Sequence, residues 1–175
     1  MIATRLLRVL LPLMLLFAAC KKQEATEAKT HEMGERVSFG PFTYVVVESS
    51  WKNQLGEGFN VRAPQNRFLT VTLSVTNTGG AEATLPMLTI EGSNGQTYQE
   101  LQDGNGVSNW LGIIRTIAPA QTIQGKLLFD VPLSSFRLRV PDGGESGYEK
   151  YTWIDIPLRI DANDVQAPLP GTPTK

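Results

Sequence analysis

From Phe68 to Thr76 the chain alternates. Leu69, Val71, Leu73 and Val75 are apolar, and Thr70, Thr72, Ser74 and Thr76 between them carry hydroxyls. On a helix a step of two residues turns through about 200°, which would scatter the four apolar side chains, whereas on a strand they line one face. The same period returns at Ile123–Val131, where Ile123, Gly125, Leu127, Phe129 and Val131 share a side. It returns again where Phe136, Leu138 and Val140 alternate with Arg137 and Arg139, and less cleanly where Ile154, Ile156 and Leu158 alternate with Trp153, Asp155 and Pro157. Phe42–Glu48, Leu88–Glu91, Thr97–Glu100 and Ile113–Ala118 read as further strands. Turn residues separate the runs at Asn77–Gly80, Ser93–Gly95, Pro132 and Asp142–Gly144, and the Asn94-Gly95 pair suits a tight hairpin, since both residues tolerate positive φ. Short strands, 16 glycines and no amphipathic helix predict an all-β, antiparallel sandwich with one wet face per strand.

The start of the chain has a different logic. Arg5 and Arg8 precede a run of eleven residues, Val9 to Ala19, that is apolar apart from Pro12. A membrane-spanning helix needs about 20 apolar residues, so residues 1–19 are expected to be a secretory signal peptide. Phe17-Ala18-Ala19-Cys20 resembles the lipobox of bacterial lipoproteins. That resemblance implies cleavage before Cys20 and acylation of its sulfur and its new amino terminus. Two or more acyl chains make a stable anchor. The expected partner of this end is therefore a membrane, reached through Cys20, with the protein exported and lipid-anchored to the cell envelope. Lys21 follows the cysteine where inner-membrane lipoproteins often carry aspartate, which by the same resemblance points to the periplasmic face of an outer membrane, if the organism has one.

Residues 20–36 are polar and lack aromatic side chains, and are expected to form a flexible tether spanning about 20–25 Å as a coil. Residues 161–175, with Pro168, Pro170 and Pro173, are expected to be a disordered tail, leaving a domain at 37–160. Without Arg5 and Arg8, 14 basic residues face 17 acidic ones, a net charge of −3. No basic surplus exists to neutralise phosphates, so a nucleic-acid partner is excluded from the expectations. Cys20 is the sole cysteine, so the domain must be held by its core alone.

The order FLTVTLSVTNTG, NGQTY, IAPAQTIQGKLLFDVP and FRLRV resembles the immunoglobulin-like, telokin-like domain of unknown function found in many secreted and lipid-anchored bacterial proteins. The similarity covers roughly Gly40 to Leu158, with Ala120 standing where the family usually has glycine after proline. It implies a two-sheet, antiparallel immunoglobulin-like sandwich of about seven strands and brings no catalytic residues.

Motifs for chemistry are sparse. Ser49-Ser50-Trp51-Lys52 has a Ser-x-x-Lys spacing, but that motif works at a helix start with companion elements absent here. His31 and Met33 form a His-x-Met pair of the kind soft copper accepts, on a segment that nothing is expected to hold. Asp103-Gly104-Asn105-Gly106 begins like a calcium loop, yet Val107 and Ile114 occupy two of its ligand positions. No catalytic residue, metal site or cofactor is therefore assigned, and the chain is read as a non-enzyme. Recognition remains, and aromatic and arginine residues in loops are its usual anchors. Trp51, Phe59 and Arg62 lie in the segment from 51 to 67, and Trp110 in the segment from 102 to 112. These four are the candidate partner-binding residues; for the tryptophans the alternative is to plug an end of the core, the role expected of Trp153. The leading expectation is a module that binds an envelope protein or peptide. The alternative is a small-ligand or metal-binding envelope lipoprotein.

Overall fold

The computed structural model describes residues 28–144 and 148–160. The expected signal peptide 1–19, residues 20–27 of the expected tether with Cys20, and the tail from 161 to 175 lie outside them. Eleven strands follow in chain order: β1 (Thr30–His31), β2 (Val37–Phe39), β3 (Phe42–Lys52), β4 (Arg67–Asn77), β5 (Ala83–Leu85), β6 (Thr89–Gly92), β7 (Thr97–Gln99), β8 (Arg115–Ile117), β9 (Thr122–Val131), β10 (Phe136–Pro141) and β11 (Tyr151–Ile156). One sheet has the order β1-β11-β10-β6-β7 and the other β2-β3-β4-β9, with β5 and β8 forming a two-stranded ribbon. Among the described residues every pairing of these strands is antiparallel except β1 with β11. The all-β sandwich read from the sequence is the fold. The strands beyond the expected seven or so include β1, β2 and β5, each too short for alternation to show.

Leu69, Val71, Leu73 and Val75 of β4 are fully buried and face Leu138, Val140, Ile154 and Ile156 of the other sheet across one core. Each such side chain contributes roughly 1.5–3 kcal/mol by leaving water. Tyr44 sits in the same core, and its Oη has no hydrogen-bond partner among the described residues. The β3–β4 ladder shifts register once, between Val46 and Glu48, and this bulge leaves Val47 half exposed.

The tether expected at 20–36 does not extend as far as residue 36. The Lys29 carbonyl accepts the Trp153 N–H at 2.9 Å and the Thr152 hydroxyl at 2.7 Å. Gly34 donates to the Val46 carbonyl at 3.0 Å, and Met33 packs against the core. Backbone pairing orders this stretch, and polar side chains do not oppose it. The β6–β7 hairpin forms as expected, but only Gly95 takes positive φ; Asn94 instead accepts from the Gln96 N–H at 3.0 Å. Trp153 is no plug. It lies on the outer face of β11, covered by the Arg137 guanidinium 4.7 Å from its ring and by Tyr151 at 5.3 Å.

The strand ends divide into two poles. At the first, Gly40–Pro41, Thr78–Ala81, Ala118–Gln121 and Asp142 gather around Asn77, whose buried amide donates to the Ala81 and Ile117 carbonyls at 2.8 Å each. Ala120 there takes φ 60°, a left-handed conformation that suits glycine, while its N–H donates to the Asn77 carbonyl at 2.9 Å. At the second pole lie the β3–β4 connection, the 93–96 and 132–135 turns and the exit of β11.

Two outcomes are expected. Ala120→Gly relieves about 1–2 kcal/mol of left-handed strain and loses about 0.5–1 kcal/mol to unfolded-state entropy. Urea titration should therefore find it slightly more stable than the parent. Burial pushes the Tyr44 phenol pKa far up. An unfolded tyrosine ionises near pH 10, so above about pH 10 unfolding releases a proton and stability falls as pH rises, whereas below it this residue adds no slope. Tyr44→Phe should remove that alkaline slope from the urea midpoints.

Candidate functional site

At the second pole the two segments singled out in the sequence meet. Leu55 and Arg62 exchange backbone hydrogen bonds of 2.9 and 2.8 Å, closing a narrow loop whose tip is the 3-10 turn Gly58–Asn60. The segment from 101 to 111 runs along the outer edge of β9, with Leu101 donating to the Leu128 carbonyl at 2.8 Å and Lys126 to that of Asn109 at 2.8 Å. Arg62 joins the two. Its Nη1 donates to the Asp103 carbonyl at 2.9 Å, lies 3.6 Å from the Asp103 carboxylate, and its guanidinium stacks 5.2 Å from the Phe68 ring centroid.

Beneath this double loop is a second small core of Leu55, Phe68 and Leu128, flanked by Leu101 and Val107. It covers the end of the face on which β4 otherwise shows hydroxyls. Gly106 fits against the backbone of Gly56, and Gly104 against the Trp110 ring, so closely that a Cβ at either would collide. The base of the 101–114 excursion is clasped by Glu100 and Arg115, whose side chains are wholly buried and form a two-point ion pair. Glu100 also accepts from the Leu88 N–H, and Arg115 donates to the Gly112 carbonyl. The double loop is thus packed and pinned, with a polar cleft of about 500 Å³ opening between Lys52, Asn53, Gln54, Glu57 and Gly106.

The four candidate residues separate. Trp51 belongs to the core: it lies on the inner side of β3 opposite Leu69, is 2 % exposed and packs 6.2 Å from Phe136, so it reaches a partner at most through the floor of the cleft. Phe59 is fully exposed at the loop tip. Arg62 is the staple between the loops. Trp110 lies half-buried on Gly104, its Nε1 buried without a hydrogen-bond partner among the described residues. Sequence reasoning missed Glu100, Arg115 and Leu55, and weighed Asp103 only as the start of a calcium loop; the available signal was Phe68 and Leu128, apolar residues on an otherwise polar face.

The other motifs resolve by position. Ser49 is buried on the inner side of β3 while Lys52 is exposed on the outer side, so strand geometry keeps them apart. His31 does not float in a tether: it is in β1, its Nδ1 3.0 Å from a Glu35 carboxylate oxygen, while Met33 is committed to the core. The Asp103 carboxylate accepts from the Asn105 N–H at 2.9 Å and faces Arg62. Among the described residues no three His, Cys, Asp or Glu side chains gather to hold a metal ion.

The sequence model of the family described as Domain of unknown function (DUF4352) matches residues 31–143. The chain belongs to the DUF4352 family. The match starts at His31, inside the stretch that backbone pairing orders. Among solved structures, this DUF4352 chain is similar to a secreted protein of Mycobacterium tuberculosis, MPT63, with 15 % identity and a TM-score of 0.56 over 75 % of this chain and 100 % of that one. The yjhA protein from Bacillus subtilis matches at 14 % identity and TM-score 0.53 over 71 % and 99 %. An uncharacterised β-sandwich protein from Clostridium difficile matches at 13 % and 0.50 over 77 % and 98 %. These likenesses establish the sandwich. Among curated proteins none matches the chain.

Arg115→Ala strands the Glu100 carboxylate in the interior, and the expected loss is about 3–5 kcal/mol. Replacing both partners by apolar residues of similar volume, Glu100→Leu with Arg115→Met, should recover most of it. Equilibrium unfolding of the three variants checks both.

Proposed function

We propose that this chain is an exported, lipid-anchored envelope protein whose sandwich is a non-catalytic module binding a protein partner through the double loop. One observation carries the reading: Phe59 stands wholly in solvent at the tip of a loop that is closed by the Leu55–Arg62 backbone bonds and held by the Arg62 side chain and the small core beneath it. A rigid loop that exposes a phenyl ring is built to bury that ring against something, because aromatic anchors in preorganised surroundings dominate interface energy. The polar cleft beside it offers hydrogen-bonding groups for a rim. Export rests on the apolar run before Cys20 and agrees with the secreted character of the Mycobacterium tuberculosis relative. Anchoring rests on Ala18-Ala19-Cys20.

A photo-crosslinking residue at Phe59 in cells producing the lipoprotein is expected to yield one discrete adduct, absent when the probe sits at Glu82 on the opposite pole. Phe59→Ala should abolish capture of that partner by the purified protein while moving folding stability by less than about 0.5 kcal/mol, since the ring is fully exposed. Adducts of equal pattern from both positions would remove the reading.

A further inference from the structure

The direction of β1 fixes which pole lies near the anchor. β1 runs parallel to β11, with Thr30 opposite Trp153 and His31 opposite Ile154. Going backwards from Thr30, the chain therefore follows β11 backwards too, past Lys29 beside Thr152, toward Tyr151 and Asp142. Asp142 lies against Gly40, and Pro41 accepts from Thr78, so the chain leaves the fold at the first pole. Phe59, Arg62 and the double loop occupy the second pole, beyond Trp51 and the end of β3.

Two magnitudes then matter. β3 has 11 residues, and at about 3.3 Å each the poles are about 35 Å apart. Eight residues separate Cys20 from Lys29, and even fully extended that link reaches only about 30 Å. The link leaves from beside Thr152, near the first pole, and must be almost fully stretched to reach the far one, which favours the first pole as the one nearest the point of attachment.

Charge at the far pole points the same way. Lys52, Arg62 and Arg67 are balanced by Glu57, Asp103 and Asp130, leaving no basic surplus to draw Phe59 onto anionic headgroups. We infer that the sandwich stands on the bilayer by its Gly40–Thr78–Asp142 pole and presents the Phe59 double loop to the aqueous phase, where it docks a soluble protein rather than lipid of its own membrane. This inference rests on the anchored reading above.

The test uses the full lipidated chain in phosphatidylethanolamine–phosphatidylglycerol vesicles carrying an acceptor dye on the headgroups. Acylation occupies the only native thiol, so a donor dye attaches solely at an introduced cysteine: Gly80→Cys or Glu82→Cys at one pole, Asn60→Cys or Glu57→Cys at the other. With pole separation near 35 Å, transfer to the membrane is expected to be about twofold or more stronger from Gly80 and Glu82 than from Asn60 and Glu57. Equal or stronger transfer from the double loop would overturn the inference and place Phe59 in the bilayer, leaving the anchor intact. An unmodified Cys20 by mass spectrometry would instead remove the anchor, and this orientation with it.

Discussion

Leu69, Val71, Leu73 and Val75 must leave water together, and almost everything else in the molecule answers to that. A strand that is apolar on one side and hydroxylated on the other has one stable home: the inside of a sheet whose apolar face is covered by a second sheet. β4 takes the position between β3 and β9 for that reason, and β6, β10 and β11 supply the cover. Closing the sandwich leaves edges whose backbone groups need partners. The 101–111 segment answers this along β9, and β2 with Gly34 answers it along the first half of β3. The double loop is therefore tied to the edge-closure problem: one of its two strands of chain is the piece that covers β9.

The Glu100–Arg115 pair shows how such an excursion is kept rigid. Burying two charges costs several kcal/mol of desolvation, and their attraction offsets this only when further hydrogen bonds complete the geometry. Those bonds are present, from the Leu88 N–H to Glu100 and from Arg115 to the Gly112 carbonyl. The net contribution to stability is small by this reckoning. What the pair supplies is position, since it fixes the first and last residues of a long loop relative to one another.

The long strands were legible because Phe68–Thr76, Ile123–Val131 and Phe136–Val140 repeat a two-residue period over enough residues to exclude a helix. Thr30–His31 was not, because two polar residues carry no period and their order comes from backbone partners far along the chain. Trp153 misled for a related reason. Tryptophan is read as core by size, yet here arginine and tyrosine neighbours on the wet face bury it. The meeting of the 51–67 and 102–112 segments depends on Arg62 reaching Asp103, 41 residues away, and no local pattern announces such a contact. Phe59 was recognised as a loop aromatic, whereas Trp51, read by the same rule, sits one residue before the end of β3 on its inward side.

The extra residue at Val47 has a consequence for how copies of this protein coexist. Beyond Val46 the outer edge of β3 meets no further strand among the described residues. A flat edge of that kind would invite a second molecule to zip on in register, the first step toward fibrillar stacking. The bulge breaks the spacing of donors and acceptors at the point where the edge becomes open, and increases the local twist. That half of the β3 edge is thus a poor template for a second copy of the chain.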